Sequence, residues 1–216
     1  MAYSLVAHTK ASGANTFTTP AINTTGAGLL VVFVAWYDVR PKVLGDSFGN
    51  SWTKLTEFVR NDVGGVFYYC AAPTVGSGHT FTLTGSGIYG SMAVLAFSGA
   101  DSSPFDAQNG SNGTGSSLAT GSVSPSVDGE LVVAGLGSNS PDTVGIDSGF
   151  AISDQVGWCS SYFGAAAAYL VQTAKGAVNP TWSWTNSADA AAAIACFKPS
   201  SGTSGGSPLI FQPFAI

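Results

Sequence analysis

The second half of this chain repeats the first. Phe17-Thr18-Thr19-Pro20-Ala21-Ile22 aligns with Leu118-Ala119-Thr120-Gly121-Ser122-Val123, and Gly28-Leu29-Leu30-Val31-Val32 with Gly129-Glu130-Leu131-Val132-Val133, both at an offset of 101 residues (17 to 118). The same offset pairs Asp46-Ser47 with Asp147-Ser148 and the segment 80–84 with 181–185. One-residue slips bring Tyr69 onto Tyr169, Gly76 onto Gly176, Val94 onto Ile194 and Phe97 onto Phe197. Order is kept throughout, so whatever one half folds into must be built twice.

The repeated unit reads as strands. Leu29 to Tyr37 is a continuous apolar run, rich in β-branched and aromatic residues, of the kind a central strand carries. Thr80-Phe81-Thr82-Leu83-Thr84 alternates, placing Phe81 and Leu83 on one face, and its partner places Trp182 and Trp184 there. Turn signals stand between these runs, as at Asp46-Ser47-Phe48-Gly49-Asn50 and Val75-Gly76-Ser77-Gly78. Ala165–Ala168 and Ala190–Ala193 favour helix by local propensity, but their counterparts around Val66–Tyr69 and Ser91–Val94 are strand-like, so strands are expected there too. Small side chains at those positions would let a neighbouring layer approach closely. That layer could be a loop, the bulkier first-half equivalents or another subunit.

The expected fold is all-β: one jelly-roll-like β-sandwich over residues 1–198, with repeat 1 at about 1–100 and repeat 2 at about 101–198. Two tandem Ig-like sandwiches are the alternative. Asn109 to Ser117 is the one linker-like stretch at the join, and Gly110-Ser111-Asn112-Gly113-Thr114-Gly115 within it reads as a flexible loop, because neither a Lys nor a helix follows to make it a phosphate cradle.

Composition narrows function mainly by exclusion. Charged residues are 9% of the chain and only seven are Lys or Arg, at a net charge of −5, so no basic stripe is available for nucleic acid. No apolar run approaches the roughly 20 residues of a membrane helix, and the N-terminus lacks the pattern of a secretory signal. Cys70, Cys159 and Cys196 are odd in number and widely spaced, which suits buried free thiols of a reducing compartment better than a disulfide framework or a zinc set. No metal and no cofactor are expected.

Catalytic groups are sparse. His8 and His79 fall at unlike positions, and His79, opening a strand beside a glycine turn, reads as a surface imidazole. Glu57 and Glu130 are the only glutamates, and most of the aspartates neighbour Gly, Ser or Pro, as turn residues do. Asp46 recurs as Asp147, and an Asx-turn accounts for it better than a calcium loop, which would need alternating acidic residues. Trp36, Trp52, Trp158, Trp182 and Trp184 could stack on sugar rings, although most alternate with polar residues in the manner of core positions. The chain is expected not to be an enzyme.

After Lys198 the composition changes twice. Residues 199–207 form a Gly/Ser-rich tether, and 208–216 an uncharged apolar segment without counterpart in the repeat. Leu209, Ile210, Phe211, Phe214 and Ile216 would each gain roughly 1.5–3 kcal/mol on burial, against about 1–2 kcal/mol per residue for ordering the chain. A net gain needs a preformed groove or sheet edge, so these five residues are the expected partner-binding set of an anchoring arm.

Three motifs, Thr-Thr-Pro-Ala-Ile, Asp-Ser-Phe-Gly-Asn-Ser-Trp-Thr and Ala-Val-Leu-Ala-Phe-Ser-Gly-Ala, carry a resemblance spanning residues 17 to 198. The chain resembles uncharacterised duplicated β-sandwich proteins of bacteriophages, prophages and bacterial surfaces. The resemblance implies a structural virion protein assembled in the host cytoplasm: a capsid decoration, head-fibre or tail-associated subunit. Its partners would be sister subunits or another capsid or tail protein. A carbohydrate-binding module or surface adhesin, extracellular and holding glycan, is the alternative.

Overall fold

In the computed structural model, which describes residues 2–37 and 42–201, every regular element is a strand. Repeat 1 contributes β1 (Ser4–Gly13), β2 (Phe17–Thr18), β3 (Leu29–Tyr37), β4 (Val43–Asp46), β5 (Thr53–Lys54), β6 (Phe58–Arg60), β7 (Val63–Ala71), β8 (Phe81–Thr84) and β9 (Gly90–Ser98). Repeat 2 contributes β10 (Ala100–Ala119), β11 (Leu131–Ser138), β12 (Gly145–Ile146), β13 (Ala151–Val156), β14 (Gly164–Val171) and β15 (Thr181–Pro199). The arm residues Leu209, Ile210, Phe211, Phe214 and Ile216 lie outside the described residues.

Each repeat builds one large antiparallel sheet, in the order β1-β9-β3-β7-β5 with β6 also on β7, and β10-β15-β11-β14-β13 with β12 on β15. The orders match element for element, giving a jelly-roll-like β-sandwich made of two similar halves. Where repeat 1 breaks its edge strand into β1 and β2 and its return strand into β8 and β9, repeat 2 runs straight through in β10 and β15. A small sheet, β2-β8-β4, covers the outer side of the first large sheet. The bent ends of β10 and β15, with β12, do the same for the second.

The two large sheets meet face to face over a shared apolar core, each taking its strands from one repeat only. Leu29, Val31, Phe33 and Ala35 of β3 point into that core, while Leu30, Val32 and Val34 point outward onto the small sheet. Burial on both faces is why the run from 29 to 37 shows no alternation. Facing also corrects the repeat alignment by one residue at this strand. Leu131 and Val133, not Glu130 and Val132, share the core with Leu29 and Val31.

The alanine runs are strands, and the layer they admit is the bulky face of repeat 1. Ala165, Ala167, Ala193 and Ala195 lie across the core from Phe33 and Phe67, whose rings meet edge-on at 5.0 Å. A Cβ on Gly135 would fall 2.2 Å from the Phe33 ring, and one on Gly137 would fall 2.8 Å from the carbonyl oxygen of Gly64. Backbone of repeat 2 therefore lies almost against the aromatic knob of repeat 1.

Two expectations fail here. The Gly110–Gly115 stretch is not a loop but the middle of β10, paired in register from Gly110↔Ala193 to Gly115↔Ala188. Composition misled because the strand is held by its ladder to β15, and because Gly110 leaves room for the Phe58 ring, 2.2 Å from where a Cβ would stand. His79 is not on the surface but fully buried, stacked on Phe81 at 4.3 Å under the small sheet.

The edges are stitched in a reciprocal way. β1 meets β13 through His8 Nδ1 and Asp154 Oδ2 at 2.8 Å and through Lys10 Nζ, which donates to the Gln155 carbonyl at 2.9 Å. On the opposite side β10 meets the β5–β6 region, where Gln108 Oε1 accepts from the Thr56 amide at 2.9 Å and Arg60 Nε donates to Thr114 Oγ1 at 3.0 Å. One pole of the sandwich holds the starts of β3 and β11. There Tyr3 Oη donates to the Lys198 carbonyl and the Ser200 amide to that of Gly99, so both described chain ends lie at this pole.

Substituting Gly135→Val should lower unfolding stability by about 1–3 kcal/mol or more, because the Phe33 ring is also confined by Gly65 and cannot retreat. Chemical denaturation of Gly135→Val, Phe33→Val and the double variant should show a double-mutant loss smaller than the sum, the sign of direct contact.

Candidate functional site

At the pole opposite both chain ends, β3 and β11 finish and β9 and β14 begin, and the seam between the repeats opens into an aromatic groove. Tyr37 ends β3, while Tyr89 stands before β9 in a left-handed conformation (φ 39°), strained for a tyrosine, that turns its ring outward. Phe163 precedes β14 and is gripped by repeat 1: its amide donates to the Tyr89 carbonyl at 2.8 Å, and its carbonyl accepts from Ser91 Oγ at 2.6 Å. The rings of Tyr37 and Phe163 lie 5.4 Å apart at 30°, with Tyr89 edge-on to Tyr37 at 6.0 Å.

The other wall is a tight turn of repeat 2. Cys159 and Tyr162 exchange backbone hydrogen bonds, the Trp158 amide donates to the Ser140 carbonyl at 3.0 Å, and a Cβ on Gly164 would fall 2.9 Å from the Val156 oxygen. These walls enclose a hollow of ≈ 280 Å³, which meets a second of ≈ 380 Å³ across Asn139 and Trp158. The second hollow is of mixed character, with Asn186, Ser187 and Asp189 among its polar lining residues. Asp189 accepts from Asn61 Nδ2 at 2.8 Å and from Thr114 Oγ1, and those hydrogen bonds, with Arg60 nearby, hold its carboxyl below the ordinary range. It is therefore an ionised acceptor at neutral pH.

Such a groove offers stacking faces, amides, hydroxyls and the fixed carboxylate of Asp189. Sugar rings need this combination, having an apolar C–H face and a rim of hydroxyls. Among the described residues no histidine lines either hollow, and Cys159 is the one thiol there. The Ser161 amide, donating to its sulfur at 3.4 Å, leads the effects that lower its pKa, so it is the nucleophilic thiol of the three. Burial, then the charge of Glu130, pushes the Cys196 thiol up to about 12, and burial also raises that of Cys70.

The structure does assemble one nucleophile-like row that the sequence did not reveal, Thr24 Oγ1 2.9 Å from His79 Nδ1, with His79 Nε2 3.2 Å from Asp46 Oδ1. Thr24 and His79 are fully buried and so is the Asp46 side chain, so no substrate reaches them. Asp46 makes the expected Asx-turn, accepting from the Phe48 amide at 2.9 Å, and takes the Trp52 indole N–H at 2.8 Å. The row is a pin between turn and core.

Of the tryptophans, Trp36, Trp182 and Trp184 are core as expected, Trp52 serves Asp46, and Trp158 alone reaches the groove. A signal for it was present in the repeat. Trp158-Cys159-Ser160-Ser161-Tyr162-Phe163 occupies the place where repeat 1 has β6 (Phe58–Arg60) and its turn Asn61-Asp62.

Burial raises the pKa of Asp46, but the Phe48 amide and the Trp52 indole outweigh it and hold the carboxyl below its ordinary value. The stability this contributes is complete above the ordinary carboxylate range and drains away as pH falls through it. Asp46→Asn should cost about 1–3 kcal/mol at neutral pH and flatten the acid side of the stability profile, measured by denaturation between pH 3 and 7. Comparison with protein-family models, curated proteins and solved structures finds no significant match.

Proposed function

We propose that this chain is a non-enzymatic display module of virion or cell-surface type that grips carbohydrate in the groove of Tyr37, Tyr89, Trp158 and Phe163. The observation that carries the reading is the groove itself, with aromatic faces on one side and Asn139, Asn186 and Asp189 on the other. Polarity supports it. The described chain runs out at 201, at the pole away from the groove, and the tether and apolar segment follow from there. An arm ending in Leu209, Ile210, Phe211, Phe214 and Ile216 would then hold the module in a capsid, tail or surface assembly while the groove faces outward. The resemblance to duplicated phage and surface proteins points the same way. Low charge suits an uncharged, hydroxyl-rich ligand rather than an ionic one.

A glycan array probed with the full chain should give a defined set of neutral or weakly acidic oligosaccharides. Trp158→Ala and Tyr89→Ala should each weaken that binding by about tenfold or more, with folding intact. Ligand should also slow thiol labelling of Cys159, which without ligand reacts ahead of Cys70 and Cys196, both closed until the chain unfolds. Removal of residues after 201 should leave folding and sugar binding unchanged while abolishing incorporation into particles. An array without hits, or binding indifferent to both aromatic substitutions, would refute the carbohydrate reading.

A further inference from the structure

Three residues far apart in sequence converge at the pole from which the chain leaves the sandwich. Asp106 lies on β10, Glu130 immediately before β11 and Cys196 near the end of β15, and one donor atom from each falls within 4.8 Å of the others. Cys196 Sγ is 4.0 Å from Asp106 Oδ2 and 3.6 Å from the Ala107 carbonyl oxygen. Glu130 and Cys196 are fully buried, whereas the Asp106 side chain keeps 11% of its surface exposed.

Glu130 uses only half its carboxylate. Oε1 accepts from the amides of Ser126 and Val127 at 2.8 and 2.9 Å, while Oε2, sealed from solvent, has no well-formed hydrogen bond and only the Cys196 thiol as a polar neighbour. An unpaired buried carboxylate oxygen is costly to hold. The positive charge beside the group is Lys198, whose Nζ lies 2.8 Å from Asp106 Oδ1. Two carboxylates against one ammonium leave a negative charge uncompensated. Asp106 is also the residue skipped where the β10–β15 register shifts, between Phe105↔Phe197 and Ala107↔Cys196, and such a bulge redirects a side chain. Repeat 1 has the same shift, with Val6 at that place. Ala96 stands for Cys196 and Gly28 for Glu130, so the donors belong to repeat 2 alone.

We propose that Asp106, Glu130 and Cys196 form a binding site for a thiophilic divalent cation of the zinc class. On binding, the Cys196 S–H bond breaks, its proton passes to solvent, and the sulfur lone pair forms the metal–sulfur bond. Two carboxylates, one thiolate and one ammonium then sum to −2, which a divalent cation neutralises. Zinc sits about 2.3 Å from sulfur and about 2.0–2.2 Å from oxygen, so tetrahedral coordination needs sulfur and oxygen roughly 3.6 Å apart. The 4.0 Å between Cys196 Sγ and Asp106 Oδ2 is close to that, and the remaining donors, within 4.8 Å, draw in on binding. The Ala107 carbonyl or a water completes the set. A sulfur donor disfavours calcium and magnesium, which take oxygen ligands. Asp106, partly exposed, marks the way in.

The test uses the full chain, stripped with EDTA and kept reduced, titrated calorimetrically with Zn²⁺ and spectroscopically with Cd²⁺ or Co²⁺. One equivalent should bind saturably, with a thiolate-to-metal charge-transfer band and a raised melting temperature. Cys196→Ala borrows the residue of the sister repeat and should fold. It should lose the band and weaken binding by more than the roughly 10–100-fold that an outer-shell change costs. Cys70→Ala and Cys159→Ala should keep both, and Lys198→Met, removing the competing ammonium, should not weaken binding. The site is refuted if no saturable binding appears at one equivalent, or if the band survives Cys196→Ala or vanishes with Cys159→Ala.

Discussion

The molecule depends on one packing contact, the Phe33 ring of repeat 1 set against the bare backbone of repeat 2 at Gly135. Around it the two large sheets are complementary in bulk: Phe67, Leu95 and Phe97 on one side, Ala167, Ala193 and Ala195 on the other. Interiors reach crystal-like density only when large meets small, and here each repeat carries one half of that requirement. The alanine runs, weak strand formers in isolation, are strands because β11 pairs with both of them, and Ala165, Ala167 and Ala193 are the residues that leave room for those rings.

That closeness sets where function can reside. Toward one pole the sheets approach until Gly137 nearly touches Gly64, which fixes the ends of β3 and β11 and with them Tyr37 and Asn139. Phe163 of repeat 2 is held by repeat 1, through Ser91 Oγ and the Tyr89 carbonyl, so the groove exists only where the halves are joined. Its aromatic wall is therefore carried on strand ends and a tight turn rather than on a long loop, which lowers the conformational entropy lost when a ligand binds.

Periodicity and self-similarity made the strands, their order and the apolar core readable. They could not show facing, and sequence aligns β3 with β11 one residue out because Leu29 and Glu130 both follow a glycine and both halves then continue Leu-Val-Val. Local composition misled wherever a tertiary partner decided the outcome. The Gly110–Gly115 stretch is ladder-bound to β15, and His79 is buried because Thr24 and Asp46 give its ring polar neighbours inside the core. The groove was hidden because its residues come from five separate segments, and Trp158 differs from the core tryptophans only in lying at a turn that departs from the repeat. Asp106, Glu130 and Cys196 have no motif spacing at all, since only the sandwich brings them together.

The match of unlike faces bears on how such a chain can change. A symmetric pair of identical repeats would press Phe33 against Phe33, or leave glycine facing glycine across a void. Neither half of this protein can now replace its sister with a second copy of itself. Divergence after duplication has thus turned a covalent convenience into a dependency. It also disfavours pairing between like halves of neighbouring copies, since only unlike halves fit.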